Sequence, residues 1–208
     1  MKIIDCEQGT PEWFAARANM PTASCFDMIL TATGKKSSQV EGYINELCGD
    51  WLAGASEDTY TNEHMARGTE MEPVAREYYE FTTGNAVAQV GFCTNDAGTY
   101  GCSPDGLVDE TRGLEIKCPA RKAHVGYMRG DAIPTKYKPQ VQGCMLVTER
   151  DTWDWVSYHP NLPSVIITIE RDDAWCRLMR EALGEFLVKL DRAKAELVEL
   201  GYAPASVE

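Results

Sequence analysis

Two acids and a lysine in the middle of the chain carry the types and spacing of a metal-assisted phosphodiester chemistry: Asp105, Glu115 and Lys117, within SPDGLVDETRGLEIKCP. Side chains alternate along a β-strand, so in Leu114–Lys117 the Leu and Ile face one side and the Glu and Lys the other, roughly 6–7 Å apart. The apolar pair can then enter a core. The intervening Val-Asp-Glu-Thr-Arg-Gly is rich in turn residues, which would fold Asp105 back beside Glu115. Two carboxylates that close repel unless a cation lies between them, and hard oxygen ligands favour Mg²⁺ or Mn²⁺. An ion held by Asp105 and Glu115, with the Ile116 backbone carbonyl completing its shell, would polarise a phosphate and acidify an attacking water. Lys117 would orient that water or stabilise the developing charge. A pattern this short is met equally by an exposed Glu–Lys pair beside an Asp turn, so alone it leaves active site and surface hairpin both open.

The cysteines near each end of this stretch raise a zinc reading. All eight, at 6, 25, 48, 93, 102, 118, 144 and 176, are scattered, with no Cys-x-x-Cys pair. Free and mostly buried thiols are therefore expected, not disulfides, zinc ligands or an iron–sulfur cluster. The 208 residues, 44% hydrophobic and 25% charged, suit one domain spanning 1–208. No apolar run could cross a bilayer, and the N-terminal MKIIDCEQGTPEW lacks the build of a signal peptide, which points to a soluble intracellular protein. The net charge of −12 argues against an extended nucleic-acid-coating surface. Yet residues 112–138 hold seven basic side chains (Arg112, Lys117, Arg121, Lys122, Arg129, Lys136, Lys138) against two acidic ones, Glu115 and Asp131. A local charge of +5 thus leaves −17 for the rest. A basic strip on an acidic body suits a protein that grips a polyanion in one place, although a solvated face would have the same composition.

The elements that must position these residues read as follows. Thr10-Pro11-Glu12 supplies a cap, a first-turn proline and a first-turn acid, predicting a short helix to about Ala18. Ser24-x-x-Asp27, leading into Phe26, Ile29 and Leu30, resembles a capping box opening a second helix. Residues 39–53 and 63–82 have helical spacing, the latter with an apolar stripe of Met71, Val74, Ala75, Tyr78 and Phe81. Residues 86–94, 99–103, 113–118, 152–158 and 164–170 are β-rich. Residues 172–200 form a long amphipathic helix through Leu178, Leu183, Leu187, Leu190 and Leu197. Helices first, strands in the middle and a closing helix imply an α/β or α+β domain with a central mixed β-sheet flanked by helices.

SPDGL followed by GLEIKCP resembles the PD-(D/E)xK nuclease core of the phage lambda exonuclease family, the YqaJ-type viral recombinases. WFAARANMPTAS, RGTEMEPVAR and KPQVQGCMLVT follow the same family order across roughly residues 10–200. The resemblance implies a restriction-endonuclease-like fold and a Mg²⁺-dependent 5′→3′ exonuclease on double-stranded DNA, with Mn²⁺ able to substitute. Such an enzyme releases mononucleotides and leaves a 3′ single strand for recombination by annealing. Asp105 and Glu115 match the metal-binding acids, Lys117 the active-site lysine, and Glu72 a further acid supplied by a helix, with Glu70 its rival. Gln140 matches a glutamine near the reaction centre, Arg17 an arginine that binds the 5′-phosphate, and Ser24 a hydroxyl in the same pocket. A guanidinium and a helix N-terminus are natural phosphate ligands, although Arg17 could equally form a surface ion pair. The resemblance also implies a ring-shaped homotrimer, double-stranded DNA ends as substrate, a single-strand annealing protein as partner, and the bacterial host cytoplasm as location.

ARKAHVGYMRGD, after Cys118-Pro119, departs from the family and leaves open which of Arg121, Lys122 and His124 meets DNA. His64, His124 and His159 fit no catalytic pattern, and Trp13 and Trp51 are expected in the core. Two other readings remain: a structure-specific or restriction-like endonuclease on the same core, and an inactive DNA-end-binding protein. The phosphate pocket at Arg17 argues against the first, and the intact Asp105–Glu115–Lys117 set against the second. Nucleases of this core that carry an iron–sulfur cluster need clustered C-terminal cysteines, and Cys176 stands alone.

Overall fold

The computed structural model describes residues 1–54 and 63–204. The Thr10 hydroxyl accepts the Trp13 N–H (3.4 Å), and α1 runs from Pro11 to Arg17 with Ala18 as its C-cap. The expected capping box at Ser24 does not form. Thr22 stands at the N-cap position of a 3-10 helix, Ala23–Met28, without a side-chain capping bond, which places Ser24 inside the first turn. The tighter turn brings Phe26 under Gly143, where the space would leave a Cβ only 2.5 Å from its ring. Helix α2 (Val40–Ala53) ends at Gly54 in the left-handed region (φ 70°), a conformation glycine adopts without a Cβ clash.

Helix α3 (Glu63–Thr83) forms where the spacing predicts, but its buried face differs. Ala75 and Tyr79 are buried with Arg76, whereas Val74, Tyr78 and Phe81 are exposed, Phe81 at 89%. The helix turns Glu72 and Arg76 inward, and of the apolar stripe read from sequence only Ala75 is fully buried on that face, with Met71 half-buried. His64 lies where side chains fall outside the described residues.

Among the described residues, seven strands make two sheets. Strands β1 (Lys2–Ile4), β2 (Phe92–Thr94) and β3 (Gly101–Cys102) form one in that order. The other runs β4 (Gly106–Leu107), β5 (Arg112–Lys117), β6 (Thr152–His159), β7 (Leu162–Glu170). Strands β5 and β6 are parallel and the outer pairings antiparallel. A parallel pair needs a crossover, and here it passes through α4 (Arg121–Met128) and α5 (Lys138–Thr148). Helix α6 (Asp173–Glu199) closes the chain; its Leu183 and Leu190 are buried while Leu178 is exposed.

The second sheet is covered on both faces. Leu114, Ile116 and Val156 pack with Ala75 and Tyr79 of α3. Trp153 and Trp155 join the main core with Val141 and Met145 of α5 and Met179 and Leu183 of α6. The Glu115–Lys117 face, read from the sequence as polar, is therefore interior too, and Glu115 is only 1% exposed. All eight cysteines are free. Trp13 and Trp51 are half-buried, not core residues: an Arg17 guanidinium lies over the first ring and a Lys194 ammonium over the second.

Candidate active site

The centre forms where β4 stops short. β4 pairs with β5 over two residues, Gly106↔Leu114 and Leu107↔Gly113, so β5 runs on without a neighbour on that edge. Asp105 fills the gap: its Oδ2 accepts the Ile116 N–H at 2.5 Å. The N–H and C=O of one strand residue face the same edge, so the Ile116 carbonyl shares this gap. Glu115 projects toward α5. Its Oε1 meets the Lys117 ammonium (2.5 Å) and accepts from Gln140 Nε2 (2.7 Å), while Oε2 is buried without a hydrogen-bond partner.

Glu72 approaches from α3, ion-paired with Arg76 one turn along. Arg76 also donates through Nε to the Asp105 backbone carbonyl (3.2 Å), tying the helix to the strand end. Glu70, its rival, is exposed. Sequence reasoning missed Arg76. The acid–base pair at i and i+4 was the available signal.

Charge repulsion shows in the proton affinities. Burial, then the Glu115 and Glu72 carboxylates, hold Asp105 well above the ordinary carboxylate value, against the pull of Lys117 and the Ile116 N–H. Burial also raises Glu72; Arg76 counters and Glu115 adds to it. Burial opposes the Lys117 charge, but the Glu115 and Asp105 carboxylates outweigh it and its affinity for the proton rises. A divalent cation fits this donor set: hard oxygens only, mutually repelling, one of them buried and unpartnered. Lys117 and Arg76 supply the compensating charge in this arrangement. Among the described residues, no three His, Cys, Asp or Glu side chains come together as a group that could hold a metal ion, so the backbone carbonyl of Ile116 would have to share in the ligation.

The two residues expected to hold a phosphate, Arg17 and Ser24, lie on segments that pack near the same strand end. The Arg17 guanidinium stacks 4.0 Å above the Trp13 ring, and Trp13 Nε1 donates to Ser103 Oγ (2.9 Å), two residues before Asp105. Gln8 Nε2 adds a bond to the Pro104 carbonyl (2.9 Å). Thr22 bridges to Gly101, and Ser24, exposed, holds its Oγ 3.1 Å from that of Thr22. Arg17 and Ser24 therefore both sit on segments docked to residues 101–105. His124 does not belong with Arg121 and Lys122: it is fully buried, its Nδ1 2.7 Å from Ser157 Oγ and its Nε2 3.0 Å from the Pro163 carbonyl. His159 is buried beside it, with ring centroids 5.8 Å apart.

A mixed sheet whose strand ends gather Asp105, Glu115 and Lys117 defines the PD-(D/E)xK nuclease fold. Within that class, the YqaJ-like viral recombinase domain matches residues 12–151, and the chain belongs to this family. It is similar to the alkaline exonuclease LHK-Exo of Laribacter hongkongensis: 35% identical, TM-score 0.84, covering 92% of this chain and 98% of that one. The same protein in complex with dAMP superposes with a TM-score of 0.83 at 36% identity, with the same coverage of both chains. A phage-related exonuclease of Haemophilus somnus 129PT, 17% identical over 86% of this chain and 96% of its own, shares the fold with a TM-score of 0.69. The mimivirus protein R354 of Acanthamoeba polyphaga mimivirus, uncharacterized, is 26% identical over 74% of this chain, which spans 30% of its length.

Proposed function

We propose that this chain is a Mg²⁺-dependent 5′→3′ exonuclease on double-stranded DNA, working as a single nuclease domain over residues 1–208. It would release mononucleotides and leave a 3′ single strand for recombination by annealing. The observation that carries this reading is the convergence of Asp105, Glu115, Lys117 and Gln140 on the gap beyond β4. The similarity to a protein described as an alkaline exonuclease supports it.

Asp105, Glu115, Glu72 and the Ile116 carbonyl would hold the metal, which when bound polarises the scissile phosphate and acidifies water. Lys117 donates to the developing negative charge, and Gln140, held by Glu115, orients the attacking water. Arg76 fixes Glu72 against the Asp105 backbone. Arg17 and Ser24 hold the terminal 5′-phosphate, so that each cut starts from an end. The working state is a homotrimeric ring on DNA in a bacterial host cytoplasm, phage- or prophage-encoded, handing its product to a single-strand annealing protein. No helix among the described residues is long and apolar enough to cross a membrane.

The test incubates 5′-phosphorylated linear duplex and the closed circular form with Mg²⁺ or Mn²⁺. Digestion of the linear form with the circle intact is expected. A cut circle establishes an endonuclease instead, and survival of the linear form in excess protein establishes a binding protein.

A further inference from the structure

We propose that the outward face of α4, with Lys136 beside it, grips the phosphate backbone of the uncut duplex next to the catalytic centre. The inference rests on the DNA-nuclease reading above and assigns its substrate a second contact surface, in the segment where this chain follows its own sequence.

Position comes first. Helix α4 begins four residues after Lys117. It lies on the sheet face that carries Glu115 and Lys117: Tyr127 packs edge-on against Trp155 at 5.3 Å, and Trp155 is the β6 residue paired with Glu115. Tyr137 packs on the same Trp155 and lies 5.4 Å from the Lys117 ammonium. Beneath the helix, buried His124 bonds Ser157 of β6 and Pro163 of β7, so α4 is pinned to the sheet that holds the acids.

Charge comes second. Arg112, Lys117 and Lys138 of the basic strip are neutralised by Asp154, Glu115 and Asp172. Arg121, Lys122 and Arg129 are exposed, have no ion-pair partner among the described residues, and line one open concavity with Val125 and Gly126. Lys136 lies nearby, its ammonium 4.7 Å from the ring centroid of Tyr137, whose hydroxyl is 3.4 Å from that of Tyr127 in α4. On a chain of net charge −12 this is a local positive surface bordering the site where a phosphodiester must lie. Arg121 to Arg129 spans about 12 Å of helix, the rise of three to four base pairs. The occupant is a duplex, not a single strand, because strand-binding grooves stack bases on exposed aromatic rings. The one aromatic residue of α4, Tyr127, is turned inward.

Binding is measured by fluorescence anisotropy in a chelator, across a range of salt, on a 5′-phosphorylated duplex and on a single-stranded oligonucleotide. Three lost phosphate contacts reduce the slope of log affinity against log salt by about 2.7. Arg121→Ala/Lys122→Ala/Arg129→Ala is expected to show that reduction on duplex, with affinity at least tenfold weaker. A control removing three exposed α6 arginines, Arg177→Ala/Arg180→Ala/Arg192→Ala, is expected to keep the wild-type slope. Arg121→Lys/Arg129→Lys keeps the charge and should keep the slope. An unchanged slope in the α4 variant, an equal fall in the control, or a loss confined to single strands overturns the assignment. Failure of the parent protein to digest linear duplex overturns the nuclease reading separately, since these readouts need no cleavage.

Discussion

Replacing Lys117 with Ala separates the structural work of this side chain from its chemical work. Glu115 is buried at 1% exposure and its Oε2 has no partner, so its charge rests on the Lys117 ammonium at 2.5 Å and the Gln140 amide at 2.7 Å. Removing one partner of a buried ion pair costs about 3–5 kcal/mol, because the remaining charge is left uncompensated. The Lys117 side chain is itself 27% exposed, so water screens the stranded charge in part and Lys117→Ala should lower unfolding stability by about 3 kcal/mol, the low end of that range, in metal-free buffer at neutral pH. Adding Glu115→Gln removes the stranded charge, and the double variant should recover most of the loss. Activity should behave differently. A lost electrostatic donor costs 10²–10³ in rate, about 3–4 kcal/mol, and the double variant regains none of it. Urea denaturation of the four members of the cycle and single-turnover digestion of linear duplex read the two quantities independently. A double variant no more stable than Lys117→Ala would refute the buried-pair argument, and turnover within tenfold of wild type would refute the catalytic role.

Two further outcomes follow from the architecture. His124→Ala leaves the buried Ser157 Oγ without this partner, while the carbonyl of exposed Pro163 can turn to water, so urea unfolding should show a loss of about 1–3 kcal/mol and amide exchange should report loosening centred on α4. Asp172 caps α6: the Trp175 N–H, then Lys138, hold its carboxyl below the ordinary value. A depressed carboxyl contributes stability that is present above the unfolded-chain value of about 3.9 and is lost as pH falls through the folded value. The difference in urea midpoint between wild type and Asp172→Asn should thus shrink from pH 5 to pH 3; a constant difference would discount the cap.

The placement of Asp105, Glu115 and Lys117 was legible because its signals are local. Alternation in Leu-Glu-Ile-Lys and a turn before it place Asp105 beside Glu115 whatever surrounds them. Elements whose role is to carry polar groups inward were misread. In α3 the stripe chosen by apolar content is Met71, Val74, Ala75, Tyr78 and Phe81, of which Ala75 alone is fully buried, while the face that docks holds Ala75, Arg76 and Tyr79 with Glu72 beside them; a helix that turns an ion pair inward has part of its hydrophobic signal rotated away from its packing direction. Ser24 fails for a related reason: Thr22 is held by the Gly101 bridge and takes the cap position first. The burial of His124 depends on Ser157 and Pro163, 33 and 39 residues away, and no local pattern announces such partners.

The two-residue length of β4 has a consequence for how this protein can change. β5 is registered against β6 through six consecutive pairs and against β4 through two. The long ladder therefore sets a parity along β5, one class of position for the core under α3 and the other for Glu115 and Lys117. A single residue inserted within Arg112–Lys117 would swap the classes, sending carboxylate and ammonium into the hydrocarbon packing and Leu and Ile to the face toward Gln140. The same insertion at exposed Glu110, outside the ladder, leaves that parity alone. Lineages of this domain can thus vary the hairpin in length while the strand admits changes of residue but not of count.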